Sequence, residues 1–395
     1  MRGTIEKTGK IRKTGNSGGI GKTEKIGKIV YLCPYYGQIG GMQKVAQVIH
    51  ERAGIDSMMI TCDSKYPASK SCETKSKSVV NLRSFRMFSS PICPMLLPAL
   101  FRHAKRNDIL HVHVAQAFFP EMAWIYSKIT KHLYIAHFHI DVKRSGFFGI
   151  MIGLYKKIIL QKVLAGAARI IVPTAAYQRF LEDHYRIPKQ KIIVIPNGTD
   201  ISEFMPSQRR GKRFLFVGRL AHQKNIPLLL DAFKEFQMMR EGYRLSLVGS
   251  GRLESELKEK ARREGIQNVD FKGEMKGKEL CDEYHDADYF ILTSHAESFG
   301  IVCTEAMASG LPMVLVRLPE LEEATKRNAL FAEHDAKSIA AAMIRITDDR
   351  ELCRGLVDNG LRIASQYDWS SILPEYEKEY GRLHQEFFEH PNQAR

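Results

Sequence analysis

Two carboxylates flank a glycine turn in the second half of the chain. Glu297 and Glu305 lie in residues 294–312, SHAESFGIVCTEAMASGLP, between two apolar runs that predict strands, Tyr289–Leu292 and Met313–Val316. A helix that begins at this turn has unpaired backbone N–H groups at its first turn, and such an end binds phosphate. Because a carboxylate repels phosphate, the two glutamates are better suited to accept hydrogen bonds from hydroxyls. The stretch therefore predicts a site for a sugar and a ribose on either side of a diphosphate.

The start of this helix decides which groups face the ligand. We expect it to begin near Phe299 and Gly300, so that the N–H groups of these residues and of Ile301 point at the carboxyl end of the preceding strand. Glu305 then lies one turn deeper than Ile301 on the same helix face. The alternative is that Glu305 is a solvated helix residue and that Glu297 is a charge favoured by the helix dipole.

A basic loop follows the first predicted strand of the second half. Arg219 and Lys224 belong to FVGRLAHQKN, residues 216–225. Ligands of parallel α/β folds bind at the carboxyl edge of the sheet, where this loop is expected. Two cations at that edge can neutralise a departing nucleoside diphosphate. A solvated basic loop is the alternative.

Four histidines end two predicted strands of the first half: His111 and His113 in HVH, and His137 and His139 in HFHID, which closes with Asp141. Alternate side chains share one face of a strand, so a metal site is one interpretation. We expect no metal, because carboxylates that usually complete such a ligand set are not clustered nearby. We expect the first three histidines to be core or supporting residues.

Strand-like and helix-like segments alternate along the chain, which predicts parallel sheets. The first series starts with IVYLCPYY, the glycine turn GQIGG and the helical pattern MQKVAQVIHERAG, and continues at residues 57–62, 109–114, 133–139 and 169–173. The second series occupies residues 213–220, 243–251, 268–275, 288–294 and 311–316. The predicted fold class is α/β, with two Rossmann-like domains facing a cleft.

The domain boundaries follow from composition. We expect a basic disordered tail over 1–27, domains over 28–205 and 213–370, and a C-terminal helix within 371–395 that packs back on the first domain. The polar stretch PSQRRGK between the domains is the predicted linker. With 395 residues, 44% of them apolar and 26% charged, the chain is long enough for two cores. This composition excludes collagen, coiled coils and a wholly disordered chain.

The net charge of +15 is compatible with nucleic acid, an anionic membrane or an anionic substrate. We expect no nucleic-acid partner, because much of the excess charge lies in the tail and the sequence has no RNA-binding signature or helix-turn-helix pattern. Residues 142–164 combine large apolar residues with five cations, Lys143, Arg144, Lys156, Lys157 and Lys162. Such a segment either lies on an anionic membrane or packs its apolar face on the sheet. The N-terminus lacks the pattern of a secretory signal, and the seven cysteines are scattered, so we expect a cytoplasmic protein with reduced thiols.

The spacing of Glu297 and Glu305 in ESFGIVCTEAMASGLP resembles the signature of retaining family 4 glycosyltransferases with the GT-B fold. VIPNGTDISEF (194–204), FVGRLAHQKN and LVGSG (247–251) resemble further motifs of that family, in the same order. The resemblance implies no metal and no cofactor. It implies catalytic roles for His139, Glu297, Arg219 and Lys224, and donor binding by Gly40, Gly41, Arg219, Lys224, Gly251, Met275, Glu297, Phe299, Gly300, Ile301 and Glu305.

Within that resemblance, Glu297 contacts the donor sugar, Glu305 the ribose, and Arg219 and Lys224 the diphosphate. The implied activity is transfer of a hexose from a nucleotide sugar, expected to be UDP-linked, to a glycan or lipid-linked acceptor with retention of configuration. We place that activity in cell-envelope polysaccharide or glycolipid synthesis, on the inner face of the membrane. The alternatives are a nucleotide-sugar 2-epimerase, a catalytically silent relative and a non-enzymatic protein that binds nucleic acid.

Overall fold

The computed structural model describes residues 27–37, 40–62, 77–87, 90–141, 146–206 and 211–389. The strands of the first half are β1 Ile29–Leu32, β2 Ser57–Cys62, β3 Lys77–Leu82, β4 Phe85–Met87, β5 Ser90–Ile92, β6 Ile109–Val114, β7 Tyr134–Phe138, β8 Arg169–Val172 and β9 Ile192–Val194. Its helices are α1 Gly41–Arg52, α2 Leu96–His103, α3 Phe119–Thr130, α4 Gly146–Tyr155, α5 Gln161–Gly166 and α6 Ala175–Tyr185. A π-helical segment, Lys156–Leu160, joins α4 to α5.

The second half continues with the strands β10 Arg213–Val217, β11 Arg244–Val248, β12 Val269–Gly273, β13 Tyr289–Leu292, β14 Met313–Val316 and β15 Leu330–Ala332. Its helices are α7 Ile226–Gln237, α8 Glu254–Arg263, α9 Gly277–His285, α10 Ile301–Ala308, α11 Pro319–Ala324, α12 Ala336–Asp348, α13 Arg350–Ala364 and α14 Trp369–His384.

Two parallel sheets organise these elements. The first has the order β3-β2-β1-β6-β7-β8-β9 and the second the order β12-β11-β10-β13-β14-β15. Each sheet is buried between helices, as parallel sheets require. The structure therefore confirms the predicted fold class of two Rossmann-like α/β domains.

Five strands escaped the sequence reasoning: β3, β9 and β15 in the two parallel sheets, and β4 and β5, which pair with each other in a separate antiparallel sheet. Each lies at an edge of its sheet, and β9 and β15 have only three residues. The strand β3 lies on the partly exposed edge and contains no fully buried residue. Edge strands need less apolar sequence because one side has no neighbouring strand, so their signal in the sequence is weak.

The helix α14 lies on the first sheet although it follows the second domain in sequence. Its buried residues Trp369, Ile372, Tyr376 and Tyr380 pack with β1 and α1. The hydroxyls of Tyr380 and Tyr31 are 3.1 Å apart. This packing joins the C-terminal part of the chain to the first domain, whose sheet face it covers.

Some sequence predictions fall outside the described residues. They concern residues 1–26 of the predicted basic tail, residues 207–210 of the predicted linker, and Lys143 and Arg144 of the basic apolar segment. Within the described ranges, we find no helix that is both long and apolar enough to cross a bilayer.

Candidate functional site

The N-termini of two helices meet where the domains face each other. The helix α1 has Gly40 as its N-cap and α10 has Gly300, and neither cap supplies a side-chain hydrogen bond. A Cβ atom built on Gly41 would lie 3.6 Å from Cδ1 of Ile301. Each helix N-terminus carries a partial positive charge and open N–H donors. Two such ends in one cleft favour a bound anion.

Glycine is required at two positions around this cleft. Gly300 has a φ of 78°, and a Cβ atom there would lie 2.6 Å from Cδ2 of the buried Leu321. A Cβ atom on Gly251 would lie 2.2 Å from the backbone oxygen of Leu220. Gly251 therefore lets the 247–251 turn pack directly against the loop that carries Arg219.

Glu297 forms an ion pair inside the cleft. Its Oε1 accepts hydrogen bonds from Nζ of Lys224 at 2.5 Å and from Oγ of Ser294 at 2.6 Å. The glutamate is 7% exposed. The sequence assigned Glu297 to the sugar and Lys224 to the diphosphate, and the structure puts the two charges in direct contact. A ligand in which a sugar is joined to a diphosphate would meet Glu297 and Lys224 side by side.

Glu305 joins the two domains. Its Oε1 accepts from Nζ of Lys44 on α1 at 3.1 Å, and its Oε2 accepts from the hydroxyl of Tyr284 on α9 at 2.9 Å. Burial and the nearby Glu305 raise the pKa of Tyr284 well above its ordinary value, so its hydroxyl remains a donor. Sequence reasoning missed both partners. The available signal for Lys44 was its place one turn after Gly41, whereas nothing in the sequence around Tyr284 distinguishes it.

Three other predicted donor-binding residues lie in the loops that follow β10, β12 and β13. Arg219 is exposed in the loop after β10, and no side-chain hydrogen bond to another described residue holds it. Met275 is half-buried two positions after Gly273, the last residue of β12. The oxygen of Gly273 accepts a hydrogen bond from the N–H of Gly249 at 2.7 Å, which brings this segment beside the 247–251 turn. The ring of Phe299 is buried edge-on against Tyr367. Phe299 can therefore offer the ligand its backbone only.

Ile301 contacts the cores of both domains. The helix α10 begins at this residue, one to two positions after the start expected from the sequence. Its first turn is therefore fixed by apolar packing across the cleft as well as within the second domain. This packing holds the N-terminus of α10 against Gly41 of α1.

His139 lies in a buried cluster of four imidazoles on β6 and at the end of β7. Its Nε2 is 2.8 Å from Nδ1 of His113, and its ring stacks on His137 at 4.2 Å between centroids. Burial lowers the pKa of His139 to about 3, so the ring is neutral near pH 7. A neutral imidazole can hydrogen-bond a substrate hydroxyl but supplies no positive charge.

Three of these histidines, His111, His113 and His137, offer nitrogen atoms within 4.8 Å of one another. Both ring nitrogens of His111 already have partners, Tyr380 at 2.8 Å and His137 at 3.1 Å. Among the described residues, Nε2 of His113 and Nε2 of His137 have no hydrogen-bond partner. Two nitrogens without a carboxylate fit a metal poorly. The expectation that the chain has no metal stays a prediction.

Asp141, which closes the HFHID segment after His139, is bound by two side chains. Its carboxylate accepts from Nζ of Lys156 at 2.8 Å and from the hydroxyl of Tyr185 at 3.0 Å. Lys156 opens the π-helical segment between α4 and α5. Lys156 is therefore paired with a carboxylate, whereas Lys157 and Lys162 of the same segment are exposed.

Comparisons with known proteins agree with this geometry. Residues 40–203 match the model of the glycosyltransferase family 4, and residues 199–362 match that of the glycosyl transferases group 1. The GDP-mannose:cellobiosyl-diphosphopolyprenol alpha-mannosyltransferase of Komagataeibacter xylinus is 24% identical over 381 residues, which cover 90% of this chain and 93% of that protein. The phosphatidyl-myo-inositol mannosyltransferase of Mycolicibacterium smegmatis is 27% identical over 304 residues, or 72% and 75% of the two chains. Among solved structures, HepE of Anabaena in complex with UDP-glucose has a TM-score of 0.72 at 19% identity, over 90% of this chain and 99% of that one.

Proposed function

This chain belongs to the group 1 glycosyltransferases of family 4, and we propose that it moves a hexose from a UDP-linked donor to a hydroxyl of a glycan or lipid-linked acceptor with retention of configuration. The observation that carries the proposal is the meeting of two uncapped helix N-termini, at Gly41 and Ile301, in the cleft that holds both glutamates. Such a cleft has the charge and the donors that a diphosphate needs.

Each part of the donor has a partner in this proposal. The diphosphate lies against the N-termini of α1 and α10, with Arg219 and Lys224 as cations. Glu297 accepts from hydroxyls of the sugar, and Glu305 accepts from the ribose. The half-buried Met275 and the turn at Gly251 border the nucleoside. The neutral ring of His139 lies on the acceptor side, where it can hydrogen-bond a hydroxyl.

The reaction then needs no nucleophile from the enzyme. The bond between C1 of the sugar and the phosphate oxygen breaks while C1 bonds to the acceptor oxygen on the same face, and the acceptor proton passes to the leaving phosphate. The charge that develops on that phosphate is stabilised by the fixed helix N–H groups and by the cations Arg219 and Lys224. Removing one such donor from an active site costs about 3 to 4 kcal/mol of transition-state stabilisation.

The relatives support the choice of a hexose and of a lipid-linked acceptor, but they differ in the nucleotide, because the mannosyltransferase of Komagataeibacter xylinus is named for GDP-mannose. HepE binds UDP-glucose. The names of the two mannosyltransferases specify a diphosphopolyprenol and a phosphatidylinositol as acceptors. We therefore place the reaction in the synthesis of a cell-envelope polysaccharide or glycolipid.

A donor screen tests this proposal. UDP-, GDP- and ADP-hexoses are incubated with the protein without an acceptor, and the released nucleoside diphosphate is measured. We expect a UDP-hexose to be hydrolysed fastest, with the first-formed sugar in the anomeric configuration of the donor by proton NMR. Preferential cleavage of a GDP-hexose would refute the choice of base. An inverted first product would refute retention, and a donor returned with its sugar epimerised at C2 would favour the epimerase.

We also propose that the protein binds an anionic membrane surface on the cytoplasmic side. Five large apolar side chains, Ile150, Met151, Leu154, Ile158 and Ile159, are exposed on the continuous helix from α4 to α5, and we call them the apolar ridge. Their spacing places them on one face of the helix, and Ile150 is 72% exposed. The ridge is flanked by the exposed cations Lys157 and Lys162. Apolar side chains beside cations are the pattern of a helix that lies in the headgroup region.

Vesicle sedimentation tests the membrane proposal. We expect binding to anionic but not to zwitterionic vesicles, with release at high salt, because each cation near such a surface contributes on the order of 1 kcal/mol. The triple variant I150Q/L154Q/I158Q should lose most of this binding. The matched control M238Q/M239Q changes two exposed apolar residues of the second domain and should retain it. Deleting residues 1–27 should weaken binding only in part. Failure of the full-length protein to bind anionic vesicles at low salt would refute the proposal.

A further inference from the structure

Glu305 is a buried carboxylate whose charge is compensated from the opposite domain. It is 4% exposed, and within the second domain its hydrogen-bond partner is the neutral hydroxyl of Tyr284. The cation that contacts it, Lys44, belongs to the first turn of α1, next to the glycine turn. A buried carboxylate without a cation is costly, so the ionised, correctly oriented Glu305 depends on α1 being in place.

The two existing contacts leave room for a ribose. An ionised carboxylate offers about four lone pairs. Lys44 uses one on Oε1 and Tyr284 uses one on Oε2. The remaining lone pairs can accept from the 2′- and 3′-hydroxyls of a ribose while Lys44 stays bound. Lys44 therefore does not compete with the nucleoside for Glu305, and it fixes the rotation of the carboxylate.

We propose that Lys44 is a positioning residue that lets the first domain take part in ribose recognition through Glu305. This inference rests on the proposed function, because it takes the ligand of Glu305 to be the ribose of the donor. It adds a role for the first domain: the nucleoside is bound tightly only when α1 and its glycine turn lie against the second domain. Closure over the phosphate and recognition of the ribose thus become one event.

Two further observations agree with Lys44 remaining on Glu305. Burial lowers the pKa of Lys44, but the contact with Glu305, together with the charges of Asp200 and Glu203, outweighs burial and raises the pKa above its ordinary value, so the ammonium stays charged. In the proposed arrangement the diphosphate has two cations from the loop after β10 of the second domain, Arg219 and Lys224. The competing arrangement, in which Lys44 contacts the diphosphate directly, makes a different prediction about which nucleotides depend on Lys44.

Nucleotide binding to the full-length protein separates the two arrangements. Calorimetry first identifies which of UDP, GDP and ADP binds wild type, and then compares that ribonucleotide with its 2′,3′-dideoxy analogue. We expect K44M to weaken the ribonucleotide about five- to tenfold and the dideoxy analogue less than about twofold. K44R should restore binding of the ribonucleotide to within about threefold of wild type, because it returns the cation. In an E305Q background, K44M should have little further effect, since the two residues act as one unit.

A control variant tests whether any loosening of the cleft gives the same result. The carboxylate of Glu323 on α11 accepts from the backbone N–H groups of Ala175 and Ala176 on α6, also between the domains. E323Q weakens that contact without touching Glu305, and should change the affinities for the two nucleotides by the same factor. A selective loss of ribonucleotide binding in E323Q would overturn the role of Lys44.

Other results of these binding measurements would refute the inference alone or the proposed function with it. Equal loss of both nucleotides in K44M would show that Lys44 contacts the diphosphate, and no loss at all would show that it contributes nothing to binding. Either result would refute the inference and leave the proposed function intact. A wild-type protein that binds none of the three diphosphates would refute the proposed function, and this inference with it.

Discussion

Replacing Glu297 with glutamine tests the division of roles in the cleft. The amide keeps the size of the side chain, and its oxygen can still accept from Oγ of Ser294, which lies 2.6 Å from Oε1 in wild type. The substitution removes the negative charge that pairs with Lys224 at 2.5 Å. It therefore alters the charge of the site while the packing stays close to that of wild type.

The expected size of the effect follows from these contacts. A hydrogen bond to a charged group contributes about 1.5 to 3 kcal/mol, so loss of the charged acceptor for the sugar should lower kcat/KM about 10- to 150-fold. Lys224, 15% exposed at its side chain, loses its counter-charge at the same time. A cation without its carboxylate attracts a diphosphate more strongly. We therefore expect the affinity for the nucleoside diphosphate to stay the same or to rise a few fold.

Two measurements check this pair of expectations: donor turnover and calorimetric binding of the nucleoside diphosphate. The control is E259Q, which changes a glutamate in an exposed ion pair with Arg262 on α8 and should leave both values within about twofold of wild type. If E297Q weakens nucleoside diphosphate binding more than about tenfold, Glu297 supports the diphosphate site rather than the sugar, and our assignment is wrong.

Three further predictions concern the turn, the histidines and metals. G300A should lower the free energy of unfolding in urea by about 2 to 4 kcal/mol, because alanine at a φ of 78° is strained and its Cβ would meet Leu321 at 2.6 Å. The control G355A, in α13 with open space around it, should raise that free energy by about 0.5 to 1 kcal/mol. Equal effects of the two substitutions would contradict this prediction. Burial lowers the pKa of His111 to about 3, so between pH 3 and about 6.5 this side chain binds a proton when the protein unfolds. The contribution of His111 to stability is complete above that range and falls as the pH drops through it, by about 1.4 kcal/mol per pH unit for each such histidine. H111N should reduce the slope of unfolding free energy against pH by about one proton, and an unchanged slope would show that His111 is already protonated in the folded protein. Donor turnover should survive dialysis against EDTA to within about twofold, because the proposed cations are side chains and helix N–H groups, and a loss that Mg²⁺ restores would refute this expectation.

The order of the motifs along the chain was enough to predict the architecture. Alternating apolar runs and helical patterns required parallel sheets, and the glycine turns marked where each strand leads into a helix. The spacing of Glu297 and Glu305 on either side of Gly300 predicted a site at the N-terminus of a helix, and α10 begins there. These features are local, because they depend on residues a few positions apart along one strand–turn–helix unit.

Contacts between distant parts of the chain could not be predicted in this way. Lys44 and Glu305 are 261 positions apart, and the sequence alone does not show that α1 and α10 meet end to end. The direct pairing of Lys224 with Glu297, the burial of His139 among other imidazoles, and the exposure of Ile150 and its neighbours were likewise decided by the tertiary structure. An amphipathic pattern gives the same sequence signal whether its apolar face covers a sheet or faces outward. Packing between domains depends on shape and charge brought together by the whole fold, and a local pattern in the sequence carries neither.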